Sequence, residues 1–180
     1  MRLTENKVLM ITLMLVMIIS SSFLSGISQL NSKANAIYKE FNVGEKKDGL
    51  SIQRDLDTRV TCAKNMITLA KQYLPVTTTE IVESEKSVVA LENAKSIADK
   101  YKCNQNLQVS INSVWALLVD EVMSEQHTKS AKEQMSIFNN AQNTISYDPY
   151  NTLVSKYEEE TAGIIASFMK VFAKKVEYFR

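Results

Sequence analysis

Hydrophobic and polar positions divide the chain sharply. Residues 8–24 read VLMITLMLVMIISSSFL, and no charged residue falls between Val8 and Ser32. At ~1.5 Å per residue, a helix of this run covers most of a ~30 Å hydrocarbon layer. A core helix of a water-soluble domain would keep a polar face, and this run has none. Residues 8–24 are therefore predicted to enter a lipid bilayer, and residues 1–27 to form an N-terminal transmembrane anchor. Residues 29–41 continue in helical pattern. Gly44 and Gly49 then bracket a charged loop, residues 45–48.

Beyond that loop the pattern becomes amphipathic. Leu56, Val60, Ala63, Ile67, Ala70 and Leu74 alternate by four and three, which is the seam of a helix packed on a neighbour. This predicts a helix over residues 50–74, stopped by Pro75. Thr77 with Glu80 fits a capping box opening a third helix, with Val88, Leu91, Ala94, Ala98 and Tyr101 on its apolar face. Asp55/Arg59 on the second helix, and Glu83/Lys86, Glu92/Lys95 and Asp99/Lys102, are expected as surface pairs. The next turn is expected at residues 103–106. A long fourth helix follows, carrying Leu107, Ile111, Val114 and Leu118. Residues 124–132 are polar, as an exposed helical section or a local break, before Met135, Phe138 and Ile145 resume the stripe. Asp148-Pro149 reads as an N-cap with proline at the first helical position. The last helix is expected to run towards Phe179 with Val154, Tyr157, Thr161, Ile164, Phe168 and Val171 as its seam. No stretch alternates with period two. The fold class is all-α: an N-terminal transmembrane helix followed by an antiparallel bundle of long helices, with residues 28–180 as the bundle domain.

Composition supports this picture. Four Gly and two Pro in 180 residues leave few forced turns. Lys plus Arg is 21 against 20 Asp plus Glu, without the basic footprint of a nucleic-acid binder. Cys62 and Cys103 are either small apolar packing residues or a disulfide pair in an oxidising compartment. With a lone His127, they supply no zinc framework, so no metal and no cofactor are expected. His127 reads as a solvated helix-face residue. The 158–160 acidic run is expected to favour the dipole at the start of the last helix. Trp115, Tyr101 and Phe138 stand at core spacing. Asn65 and Asn151 are either surface amides or cross-helix partners that set register. No nucleotide-binding glycine loop and no nucleophile elbow is present, so no enzyme is expected.

Two stretches resemble the LemA family of bacterial membrane proteins. Arg59 is followed six residues later by Asn65-Met66-Ile67 and then by Lys71-Gln72-Tyr73, similar to that family's Arg, Asn-Leu-Val and Lys-x-Tyr. Tyr150-Asn151, Val154 and Tyr157 match its Tyr-Asn-x-x-Val-x-x-Tyr, and Tyr178-Phe179 its closing Tyr-Phe. Met66, Lys64, Pro149 and Glu158 depart from the family pattern, and a mid-chain Tyr-Pro element is missing, as in a divergent member. The resemblance implies a membrane-tethered antiparallel bundle linked to membrane organisation, and no reaction. Arg59, Asn65, Lys71, Tyr73, Tyr150, Asn151, Val154 and Tyr157 are expected to be structural. The function expected is that of a non-enzymatic scaffold or interaction protein, single-pass in the cell membrane, with a protein partner or a second copy. The alternative is an exported ligand-binding or sensor bundle released by signal cleavage. After Gly26 such cleavage would place Leu24 at −3, a mediocre site, whereas Ala34-Asn35-Ala36 lies too far downstream. Flanking charges leave orientation open: Arg2 and Lys7 against Glu5 on one side, Lys33 and Lys39 before Glu40 on the other.

Overall fold

The computed structural model describes residues 2–44 and 51–180; the predicted charged loop, residues 45–48, and Gly49 lie outside them. The described residues form seven helices and no strand: α1 Arg2–Val43, α2 Ile52–Tyr73, α3 Thr79–Asn93, α4 Ile97–Val119, α5 Glu125–Tyr147, α6 Tyr150–Glu160 and α7 Ile164–Lys170. They fall into two compact units. One comprises Met1–Tyr38 and Thr152–Val176, the other Lys39–Asn151 and Glu177–Arg180.

The larger unit is a four-helix bundle of α2 to α5. Side-chain partners give its directions. Lys64 and Lys71 of α2 reach Glu92 and Glu85 of α3, each at 2.6 Å, so partner numbers fall as α2 rises and the two helices are antiparallel. Asn104 and Gln108 of α4 meet Gln142 and Asn139 of α5 in the same falling order. Arg59, Asn65 and Tyr73 of α2 meet Phe138, Gln134 and His127 of α5, so α5 closes the bundle antiparallel to α2. The predicted seam of α2 is the core: Leu56, Val60, Ala63, Ile67 and Ala70 are buried, as are Leu107, Ile111, Val114 and Leu118 of α4. Burial of these aliphatic faces supplies the main drive for folding.

Helix ends follow local chemistry, in places other than expected. Ser51 Oγ accepts from Arg54 N at 3.2 Å and starts α2. Pro75 follows its end. The Thr77–Glu80 capping box does not form, because α3 begins at Thr79 with Thr78 as a cap that makes no side-chain bond. The turn expected at residues 103–106 lies inside α4. The chain turns instead at residues 94–96, where Ser96 Oγ accepts from Asp99 N at 3.0 Å and donates to Asp99 Oδ2 at 2.6 Å. The polar stretch near residue 124 contains a true break. α4 ends at Val119, and Ser124 caps α5 through His127 N at 3.2 Å. Asp148 Oδ1 accepts from Tyr150 N at 2.8 Å and opens α6.

The last helix is shorter than its periodicity predicts. α6 stops at Glu160, and Thr161 Oγ1 donates to its own helix at Tyr157 O, 2.6 Å away. Gly163, with extended backbone, then caps the separate helix α7. Val154, Tyr157 and Thr161 are buried as the seam requires, but Ile164, Phe168 and Val171 are exposed. The 158–160 acidic run therefore sits at the C-terminal end of α6, where the helix dipole opposes it rather than favours it. Glu160 finds Lys33 instead, at 2.6 Å.

Within the smaller unit α1 changes character along its length. Residues 8–19 are exposed all round, although almost all are large and apolar. Leu30, Ala34 and Ile37 are buried. One helix thus has a fully apolar, uncovered stretch followed by an amphipathic one. It is long and apolar enough to cross a membrane, and among the described residues none covers its apolar stretch.

Candidate functional site

The most unusual chemistry in the bundle is a polar layer in its core, built around Arg59. Its position in the α2 sequence, between Leu56 and Val60, turns it inward, and its side chain is 0% exposed. Nη1 donates to Phe138 O at 3.2 Å, and Nη2 donates to Gln108 Oε1 at 2.8 Å. The guanidinium carbon lies 3.9 Å from the centre of the Phe138 ring, a desolvated cation–π contact. Gln108 passes the network on through Nε2 to Asn112 at 3.0 Å and Asn139 at 3.4 Å. One turn away Asn104, also buried, donates to Gln142 at 2.9 Å. No carboxylate stands at ion-pair distance from Arg59 among the described residues, and its Nε has no partner there. Burial pulls the guanidinium pKa well below its ordinary value, to about 10. It remains cationic at neutral pH.

This layer ties α2, α4 and α5 together by groups that only one register satisfies. A neutral, hydrogen-bonded shell around a cation suits a structural lock. Proton transfer needs a group that changes charge near neutral pH, and this shell offers none. Asn104 and Gln108 carried a readable signal, since both stand at core spacing among Leu107 and Ile111.

A second constellation closes one end of the bundle. Asn151 pairs with the backbone of Phe179 in both directions: Phe179 N donates to Oδ1 and Asn151 Nδ2 donates to Phe179 O, each at 2.9 Å. Tyr150 OH donates to Glu177 O at 2.7 Å. The Glu177 carboxylate accepts from Ile97 N at 3.0 Å and so takes up a free backbone donor at the start of α4. Phe41, Tyr150, Tyr101 and Phe179 form a ring cluster with centroid separations of 5.3–5.7 Å. Residues 177–180 are thereby fastened across the bundle end, although not as helix.

At the opposite end of α2, Tyr73 OH lies 2.5 Å from His127 Nδ1, with the two rings edge to face. His127 is half-buried and paired, rather than a freely solvated residue. Asn65 is exposed yet bonds across the helices to Gln134 at 3.0 Å, combining features of both readings of that amide. Lys71 bridges Glu85. Val154 and Tyr157 are buried in the smaller unit. The eight residues singled out from sequence are thus spread over several places: Arg59 in the central layer, Tyr150 and Asn151 in the end cluster, the others along α2 and α6. Phe138 lies under Arg59 and Tyr101 on Phe179, so with Trp115 they make no single aromatic pocket.

Cys62 is buried and Cys103 half-buried, and both are free thiols. Desolvation pushes both thiols above their ordinary value. An open cleft of about 390 Å³ runs beside α2, but its polar groups engage one another: Lys64 with Glu92, and Gln53 with both Asp57 and Lys100.

Fold and site together define an all-α protein: a hydrogen-bonded helical bundle preceded by an apolar helix of membrane-spanning length. No family model, curated protein or solved structure matches the chain.

Proposed function

We propose that this protein is a single-pass membrane-anchored bundle of the LemA type, serving as a non-enzymatic scaffold or interaction protein in membrane organisation. One observation carries the reading: residues 8–19 of α1 are uncovered and apolar around the whole helix, while the bundle core is filled by apolar side chains and a hydrogen-bonded Arg59 layer. Uncovered apolar surface of that length belongs in lipid. The matching positions at Arg59, Asn65, Lys71, Tyr73, Tyr150, Asn151, Val154 and Tyr157 support the family, and their roles in packing and hydrogen bonding suit a structural part. A retained anchor is favoured over release, because Phe23 makes ring contacts with Phe168 and Phe172 at 5.7 and 5.8 Å. Cleavage after Gly26 would remove one side of those contacts.

Alkaline extraction of membranes, followed by N-terminal sequencing, tests the anchor. The protein is expected in the pellet with residues 8–24 intact. Recovery as a soluble chain starting near Ile27 or Ile37 would instead make it an exported bundle. Cross-linking in intact membranes tests the scaffold role. A discrete adduct with itself or another protein is expected, and a chain that stays monomeric and unlinked at native abundance speaks against it.

A further inference from the structure

The smaller unit holds a second apolar feature that the anchor alone does not explain. From Glu160 the chain runs along α1 towards its apolar stretch and then returns. Glu160 sits at the level of Lys33. Phe168 and Phe172 reach Phe23. Lys174 N then donates to Asn31 Oδ1 at 2.7 Å, and Tyr38 OH donates to Lys175 O at 3.1 Å. Residues 160–175 are therefore a hairpin laid on α1, with α7 at its tip. Gly26 admits Met169 at that tip, since a Cβ there would lie 2.5 Å from the thioether sulfur.

The tip carries its apolar side chains outward. Ile164 is 91% exposed, Ile165 72%, Phe168 61%, Val171 76% and Phe172 58%. Five large apolar side chains clustered within nine residues are far from the scattered exposure of an ordinary surface. Their level on α1 identifies the occupant. Phe23 stands at the end of the apolar run of residues 8–24, so ring contacts to Phe23 put α7 where that run meets the headgroups. The exposed surface of α7 continues the exposed surface of the anchor.

We infer that α7 is a second membrane contact, an interfacial helix whose Ile164, Ile165 and Phe168, with Phe172 just beyond its end, enter the headgroup–acyl boundary of the bilayer that α1 crosses. This rests on the anchor reading above and adds to it. Two points of lipid contact, held together by the 160–175 hairpin, resist swivelling of the smaller unit about α1, which a lone helix does not.

The test uses the full chain with Trp115→Phe as background, reconstituted in phosphatidylcholine vesicles. The lipid is brominated either near the headgroup end or near the methyl end of its acyl chains. Single tryptophans are introduced by Leu15→Trp, Ile165→Trp and Phe168→Trp. The Ile165→Trp and Phe168→Trp indoles are expected to be quenched about twofold more by the shallow bromines than by the deep ones, an interfacial depth. The Leu15→Trp indole is expected to show the reverse order. Quenching of Leu15→Trp without quenching at positions 165 and 168 overturns the inference and leaves the anchor standing; α7 would then face water, a second copy or another protein. Loss of quenching at all three positions overturns both. Carbene photolabelling of the unsubstituted chain from a photoactivatable phosphatidylcholine provides a measurement independent of the variants. Label on peptides covering residues 8–24 and 164–172 is expected, and label on the first alone refutes the role of α7.

Discussion

Replacing Arg59 separates two accounts of the bundle core. Its two charged hydrogen bonds and its contact with the Phe138 ring together contribute about 4–6 kcal/mol. Against them stands the cost of keeping the charge out of water. A guanidinium pKa drawn well below its ordinary value, to about 10, corresponds to about 3 kcal/mol against the cation in the folded state. The unpartnered Nε adds about 1 kcal/mol to that cost. The net is about 1 kcal/mol, so the charge itself is nearly neutral for stability. Arg59→Met keeps most of the volume and removes both sides of the balance. Gln108 retains Asn112 and Asn139. The expected change is within about 1.5 kcal/mol in either direction. Arg59→Ala also leaves a cavity against Phe138 and is expected to cost about 3–4 kcal/mol. At ~2–4 °C per kcal/mol for a chain of this size, thermal melts followed by circular dichroism in detergent micelles should show a drop of about 10 °C for alanine and little for methionine. Equal losses for the two variants would refute the reasoning, since they would show the hydrogen-bonded charge to be the source of stability. No loss for either would refute the enclosure of Arg59.

Other consequences are as concrete. Asn151→Ala removes both hydrogen bonds to Phe179 and is expected to cost about 2 kcal/mol and to speed amide exchange at Phe179 by more than tenfold, with exchange near Arg59 hardly changed. Unaltered exchange at Phe179 would mean that Asn151 does not hold the closing segment. The Lys33 ammonium holds the Glu160 carboxyl below its ordinary value of 4.5. Its contribution is therefore present above that pH and lost as pH falls through the lowered value. In Lys33→Gln the carboxyl carbon resonance of Glu160 should titrate at higher pH than in the parent, and an unmoved titration would rule out the pairing. Maleimide at neutral pH should modify half-buried Cys103 before Cys62, which should react only after unfolding in urea. Mass spectra showing Cys62 labelled first would contradict its burial.

Parts of this architecture can be read directly along the chain. Pro75 ends α2 because it has no backbone donor and clashes with the preceding turn. The Leu56–Ala70 seam faces inward because a four–three spacing keeps one side of a helix apolar. The break at residues 94–96 was legible in principle through Ser96 and Asp99, a capping pair. However, Ala94 and Lys95 are ordinary helix formers, and apolar spacing runs through the turn to Tyr101. Periodicity misled again after Thr161. Ile164, Phe168 and Val171 continue the phase of Val154 and Tyr157, yet the chain turns at Gly163 and their side chains end up exposed. Spacing records which residues share a helical face; it does not record what that face meets.

By itself the sequence determined the helical class, the apolar N-terminal helix and most of the core, since each depends on local composition and on a period of a few residues. Only the tertiary structure decided the rest. Arg59 is a charged residue that any local rule assigns to the surface. It is internal because the Gln108 side-chain oxygen from α4 and the Phe138 carbonyl from α5 accept hydrogen bonds from its N–H groups. Asn151 finds its partner in Phe179 only once the chain has folded back on itself. The place of α7 beside Phe23 likewise depends on a chain reversal of residues far apart in sequence, and pairings of that kind are set by three-dimensional packing rather than by any neighbouring residues.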